Sequence, residues 1–105
     1  MGGKLEQNVI DVGAGTNIDC SLGNYFIKTV SGNIVFTFSN PPTSRSYAFT
    51  LEVTHTSGTI TWPITVKWPL DIAPVLTTGK THLFMFLTDD TGTRWRGSAL
   101  INYTN

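Results

Sequence analysis

The sequence predicts an all-β protein: a single antiparallel β-sandwich or jelly-roll-like domain over residues 23–105, preceded over residues 1–22 by an extended N-terminal arm or edge strands. Three observations carry this expectation. Apolar and polar residues alternate with period two along several short runs, the repeat of a half-buried strand. Turn signals separate the runs at intervals of roughly 8–12 residues, the spacing of a sandwich or jelly roll. No stretch shows the spacing of an amphipathic helix. A length of 105 residues suits one domain with one modest core.

The N-terminal segment is Gly- and Asn-rich, with only short apolar pieces at Val9-Ile10, Val12 and Ile18, so it reads as an arm or one or two edge strands. Ile18, Cys20 and Leu22 alternate, which gives Cys20 the character of a small buried hydrophobe. It is the only cysteine, so no intrachain disulfide can form. Next, Ile34, Phe36 and Phe38 line one face of a strand, and Tyr47, Phe49, Leu51 and Val53 line another. Ile60, Trp62, Ile64, Val66 and Trp68 continue the pattern. Pro63 within that run cannot donate a ladder hydrogen bond and marks a bend, a bulge or an edge. The segment His82–Thr88 is apolar on both faces, which predicts a strand covered by a second sheet on one side and by loops or a neighbouring subunit on the other. Trp95, Gly97, Ala99, Ile101 and Tyr103 form the last inward-facing series. Between the runs stand Ser31-Gly32-Asn33, Asn40-Pro41-Pro42, Ser57-Gly58, Ala73-Pro74, Thr78-Gly79 and Thr91-Gly92, all turn-forming combinations.

Composition narrows the function classes. Seven basic and seven acidic side chains cancel, whereas nucleic-acid binders carry a basic excess or stripe. Charged residues are only 13% of the chain, and seventeen threonines supply much of its polarity. A Thr-rich, charge-poor surface suits pleated sheets, and it suits contact with neighbours because few charges must be desolvated. No apolar run approaches the ~20 residues of a membrane-spanning helix, and the start lacks the apolar middle of a signal peptide.

Candidate sites are few. In the stretch Thr88-Asp-Asp-Thr-Gly-Thr-Arg-Trp-Arg-Gly97, the vicinal aspartates would point to opposite faces of a strand, a poor arrangement for shared acid–base work. The expectation is a hairpin: Asp side chains accept from nearby amides and Gly92 supplies a positive φ. Arg94 and Arg96 flank Trp95 on the opposite face; they either line an exposed strand face, paired with the hairpin aspartates, or bind an anion or a partner's carboxylate. His55 and His82 are isolated in sequence, so a zinc site is not expected. No nucleophile elbow or phosphate loop occurs, and no enzymatic activity or cofactor is expected. Trp62, Trp68 and Trp95 read as core residues, or, if exposed, as rings able to stack on sugar faces. Phe84 and Phe86, on the doubly apolar strand, join Arg94, Arg96, Trp62 and Trp68 as candidate partner or ligand contacts.

Taken in order, Gly23-Asn-Tyr-Phe-Ile-Lys-Thr-Val-Ser-Gly-Asn33, Phe36-Thr-Phe-Ser-Asn-Pro-Pro42, Thr61-Trp-Pro63 with Val66-Lys-Trp-Pro69, and Thr88–Gly97 resemble a small β domain of tailed-bacteriophage virion proteins. It recurs in tail-fibre and related structural proteins, and the likeness covers roughly residues 18 to 100. The resemblance implies a β-sandwich used in assembly or host-surface contact, with no catalytic residues. It implies a virion location, on the capsid exterior or the tail, after assembly in the host cytoplasm. The compact chain with its short arm suits a capsid decoration or cement protein, a homo-oligomer, by analogy a trimer, that contacts the major capsid protein or other virion proteins. The alternative is a tail-fibre or tail-associated receptor-binding module for host surface polysaccharide. Neither nucleic acid nor membrane is an expected partner.

Overall fold

The structure, a computed structural model, describes residues 7–105. The strands are β1 (Ile10–Asp11), β2 (Asn17–Asp19), β3 (Tyr25–Ser31), β4 (Ile34–Val35), β5 (Thr37–Ser39), β6 (Tyr47–Ser57), β7 (Ile60–Thr61), β8 (Val66–Lys67), β9 (Lys80–Thr88) and β10 (Trp95–Tyr103), with short 3-10 turns at Cys20–Leu22 and Pro69–Asp71. Six strands form one sheet in the order β1-β3-β6-β9-β10-β8, and β2–β5 and β4–β7 form two small ladders. The all-β, sandwich-like class is as predicted, but the pairing is mixed and not antiparallel throughout. Only β6–β9 and β9–β10 are antiparallel; β1–β3, β3–β6, β8–β10 and both small ladders run parallel. A parallel neighbour requires a crossover. The chain between β3 and β6 makes one by spending β4 and β5 in the second layer.

That second layer explains the run Ile34–Ser39. It alternates as expected, yet it changes partner midway: β4 pairs with β7, and β5 pairs with β2. At the switch, the Phe36 amide donates to the Thr61 carbonyl at 2.9 Å and the Thr37 amide to the Thr16 carbonyl at 3.1 Å. Phe36 itself is fully buried. The inner face of the large sheet contributes Phe26, Val30, Phe49, Leu51, Val53, Phe84, Phe86 and Trp95 to one core, closed from the other side by Ile18, Phe36 and Phe38. Phe38 lies 5.0 Å from both Phe49 and Phe86 and 5.3 Å from Trp95, ring to ring. Full burial of each such ring stabilises the fold by about 1.5–3 kcal/mol relative to exposure.

From residue 10 on, the N-terminal segment includes the edge strand β1, one of the two forms expected of it, and it buries Ile18 and Cys20 in the core. Residues 1–6 lie outside the described residues. Three sequence expectations, at Leu22, Ile64 and the end of β10, are corrected. Leu22 is exposed because Cys20–Leu22 form a 3-10 turn, held by the Asp19 carboxylate accepting from the Ser21 amide at 3.0 Å. Ile64 is 91% exposed because Pro63 ends the ladder and starts a turn, in which the Val66 amide donates to the Pro63 carbonyl at 3.0 Å. Ile101 and Tyr103 are exposed because the β9–β10 register shifts between Leu100 and Tyr103, where Asn102 takes a φ of 67°. The shift puts Tyr103 opposite Thr81 on the outer face.

At one end of the core the inner face turns polar. His55 and His82 are buried with ring centroids 5.9 Å apart. His82 Nδ1 accepts from the Asn102 amide at 3.0 Å, while Nε2 faces the Thr77 carbonyl at 3.2 Å, which fixes the neutral Nε2–H tautomer. His55 Nε2 donates to the Gly58 carbonyl at 2.7 Å, and its buried Nδ1 has no hydrogen-bond partner among the described residues. Buried Lys28 donates from Nζ to the Gly13 carbonyl at 2.6 Å. Burial lowers the His82 pKa from its ordinary value, and neighbouring His55 adds to the shift. The unfolded chain therefore takes up this proton at higher pH than the folded one. Stability from this group is complete above about pH 6.5 and is lost as pH falls below it toward the depressed folded value. Urea melts at pH 7.5 and 5.5 are expected to show this loss. In His82→Gln the loss across that window shrinks; an unchanged pH slope would assign the effect elsewhere.

Candidate functional site

The stretch from Thr88 to Gly97 closes the β9–β10 hairpin. The Thr93 amide reaches the Asp90 carbonyl at 3.3 Å around Thr91 (φ 60°) and Gly92 (φ 79°), the paired positive φ of a type I′ turn. Thr88 organises it from below. Its buried hydroxyl donates to Asp90 Oδ1 at 3.0 Å and accepts from the Gly92 amide at 2.9 Å. Asp90 Oδ1 also accepts from the Arg94 amide at 3.0 Å. That amide, then the Thr88 hydroxyl and the Arg94 charge, hold the Asp90 carboxyl below the usual carboxylate range. The Arg94 guanidinium sits 3.7 Å from Asp89 and 3.8 Å from Asp90, so its charge is directed at its own turn. Thr88→Val keeps the shape and removes the hydroxyl. It is expected to cost about 1–3 kcal/mol, read as a lower urea midpoint with an unchanged slope; an unchanged midpoint would mean the turn holds without Thr88.

Arg94 and Arg96 part company. Arg94 belongs to the turn, whereas Arg96 lies on β10, exposed, in register with Leu87 on one side and Lys67 on the other. Trp62 and Trp68 are half-buried and face other rings. Trp62 stacks on Phe36 (5.1 Å, 17°) and lies 4.6 Å from Phe84, and Trp68 lies 5.7 Å from Phe86. Trp68 also rests on Gly97, where a Cβ would come within 3.0 Å of the indole. Phe84 and Phe86 are 0% exposed, which corrects their assignment as partner contacts. Period-two alternation placed them on one face of β9 and Leu83, Met85 and Leu87 on the other; the core takes the aromatic side. Trp95 is buried as expected.

The remaining chemistry is structural. Burial pushes the Cys20 thiol up to about 11, so it carries little thiolate at neutral pH. Among the described residues no group of three His, Cys, Asp or Glu side chains is placed to hold a metal ion, and no helix is long and apolar enough to cross a membrane.

What the structure does assemble is a surface. The outer face of the large sheet carries Leu83, Met85 and Leu87 from β9, with Leu87 47% and Met85 37% exposed, and Leu100 from β10 at 54%. Ile27 and Glu52 continue the Leu83 row across β3 and β6. A groove of about 340 Å³ opens beside Glu52, walled by Thr81, Leu83, Tyr103 and the last two residues. A second apolar surface lies on the loop after β8. There Leu70, Ile72 and Val75 are exposed beside a pocket of about 300 Å³ against Trp68 and Ala99. Leu70 and Asp71 both hold positive φ (56° and 60°), a conformation costly for residues with a Cβ. Sequence reading missed Glu52 and this loop. The signals were a lone acid on the polar side of a strand's alternation, and aliphatic residues gathered around Pro69 and Pro74.

No family model matches the chain, and neither the curated proteins nor the solved structures contain a match.

Proposed function

We propose that this chain is a non-enzymatic structural protein of a tailed-bacteriophage virion, acting as a capsid decoration or cement protein. It would sit on the shell as a homo-oligomer against the major capsid protein or other virion proteins. The observation that supports this reading is the pair of separate apolar surfaces, the outer sheet face and the Leu70–Val75 loop, on a domain with few charges to desolvate. A subunit that bridges neighbours needs two such surfaces, one for each contact. Binding to the assembled shell but not to its dissociated parts stabilises the shell by mass-action linkage.

The receptor-binding alternative would use tryptophan faces open to a sugar. Trp62 and Trp68 turn theirs toward Phe36, Phe84 and Phe86, so their placement does not favour it. The test is addition of the purified chain to shells lacking it. Co-sedimentation and a higher temperature of shell rupture are expected. Failure to co-sediment, or density at the tail in a cryo-electron microscopy reconstruction of particles whose genome encodes the chain, would overturn the assignment.

A further inference from the structure

The outer face of the six-stranded sheet is built unlike a face that meets only water, which would alternate to polar residues. Ile27, Leu83, Met85, Leu87 and Leu100 all project from it, with only the small polar Thr50 and Ser98 beside Met85 and Tyr103 at the margin. Its charges are segregated. Asp11 and Glu52 lie in the register row of Ile27 and Leu83, toward β1. Lys67 and Arg96 lie in the row of Leu87, toward β8. Met85 sits between these rows on the central strand, two residues from each. Strand geometry puts Glu52 and Arg96 about 8 Å from Met85, on opposite sides of it.

We propose that this face is a two-fold contact with a second copy of the same chain, Glu52 of each copy meeting Arg96 of the other across Met85. An isologous contact needs a self-complementary patch, and this one is. A two-fold axis through Met85, in the plane of the contact and perpendicular to the Glu52–Arg96 line, exchanges the acidic corner with the basic one. It crosses the two sheets steeply, toward the orthogonal packing class. The groove beside Glu52 receives the incoming arginine, whose aliphatic stem lies along Leu83 and Tyr103 while its guanidinium reaches the carboxylate. A uniformly acidic partner would confront Asp11 and Glu52, and a uniformly basic one Lys67 and Arg96. Only a bipolar surface satisfies both corners, and the chain's own face is one. The two-fold differs from the trimer expected by analogy, and it stands independently of the virion reading: it is a property of the isolated chain in solution.

Sedimentation analysis of the full chain, over a concentration series reaching hundreds of micromolar, tests it. A monomer–dimer equilibrium that weakens with salt is expected. Glu52→Arg and Arg96→Glu should each weaken the dimer by at least about tenfold. The double variant, with the charges exchanged, should recover to within about threefold of the parent. Met85→Asp should abolish association while leaving the thermal melt of the monomer unchanged. A monomer at every concentration overturns the proposal and leaves the face to a different protein. An odd-numbered oligomer, or single reversals that leave the dissociation constant unaltered, overturns it as well. Co-sedimentation with shells is scored separately, so a dimer that ignores shells refutes only the virion reading.

Discussion

Phe86→Ala is expected to lower stability by about 3–5 kcal/mol, much of the 5–15 kcal/mol available to a domain of this size. Phe86 is fully buried at the centre of the aromatic core. Its ring lies 5.0 Å from Phe38, 5.2 Å from Phe49, 5.3 Å from Trp62 and 5.7 Å from Trp68. Those rings come from β5, β6 and the β7–β8 region, each fixed by its own ladder, so they cannot close over the void. The cavity term therefore adds to the lost transfer energy. Met85→Ala, one residue away on the outer face, is expected to change monomer stability by less than about 1 kcal/mol. Urea midpoints of the two variants measure the contrast. Similar losses in both would mean that the sheet buries its two faces alike.

Gly58→Ala is expected to cost about 3–5 kcal/mol, from two effects that add. At φ +87° an alanine is strained, and its Cβ would lie 2.1 Å from the Gly32 carbonyl carbon, a backbone atom with no rotamer to yield. The turns after β3 and β6 are pressed together there. They are tied by the Thr59 amide and hydroxyl, which donate to Asn33 Oδ1 at 2.9 and 3.1 Å. Gly79→Ala separates the effects, because its φ is +80° but nothing lies within 4 Å of its Cβ position. That variant should lose only about 1 kcal/mol, the conformational cost. Equal losses at the two positions would show that close approach contributes nothing.

The fold class was legible because period two survives in the long strands: β6 and the first half of β10 bury the residues that alternation selects. Pairing partners were not legible, since alternation states which side of a strand is inside and says nothing about its neighbours. Ile34–Ser39 reads as one strand, yet it serves two ladders. The end of β10 departed from its pattern because Asn102 adopts a left-handed conformation, which shifts every later side chain to the other face. The candidate contacts failed at Phe84 and Phe86 for a related reason. A strand apolar on both faces offers no contrast from which to choose the buried one, and ring size made the choice in favour of the core. Arg96 stayed at the surface as expected, but its counterpart on the same face, Glu52, lies more than forty residues away in sequence, and only the ladders bring their faces together.

The parallel ladders have a consequence for the order in which the chain can acquire its structure. β9 and β10 are joined by a tight turn, and their hairpin can close within microseconds. β3 and β6 are made earlier and can pair once the excursion through the second layer is complete, but β6 takes β9 on its other edge and β8 lies beside β10. During synthesis, then, β1, β3 and β6 emerge before β9 and β10, and the sheet is completed only when residue 103 has been added. At translation speeds of about 5–20 residues per second, the edge of β6 that takes β9 stays open for seconds, exposed to other nascent copies. The hairpin that ends the large sheet also sets the clock for its assembly.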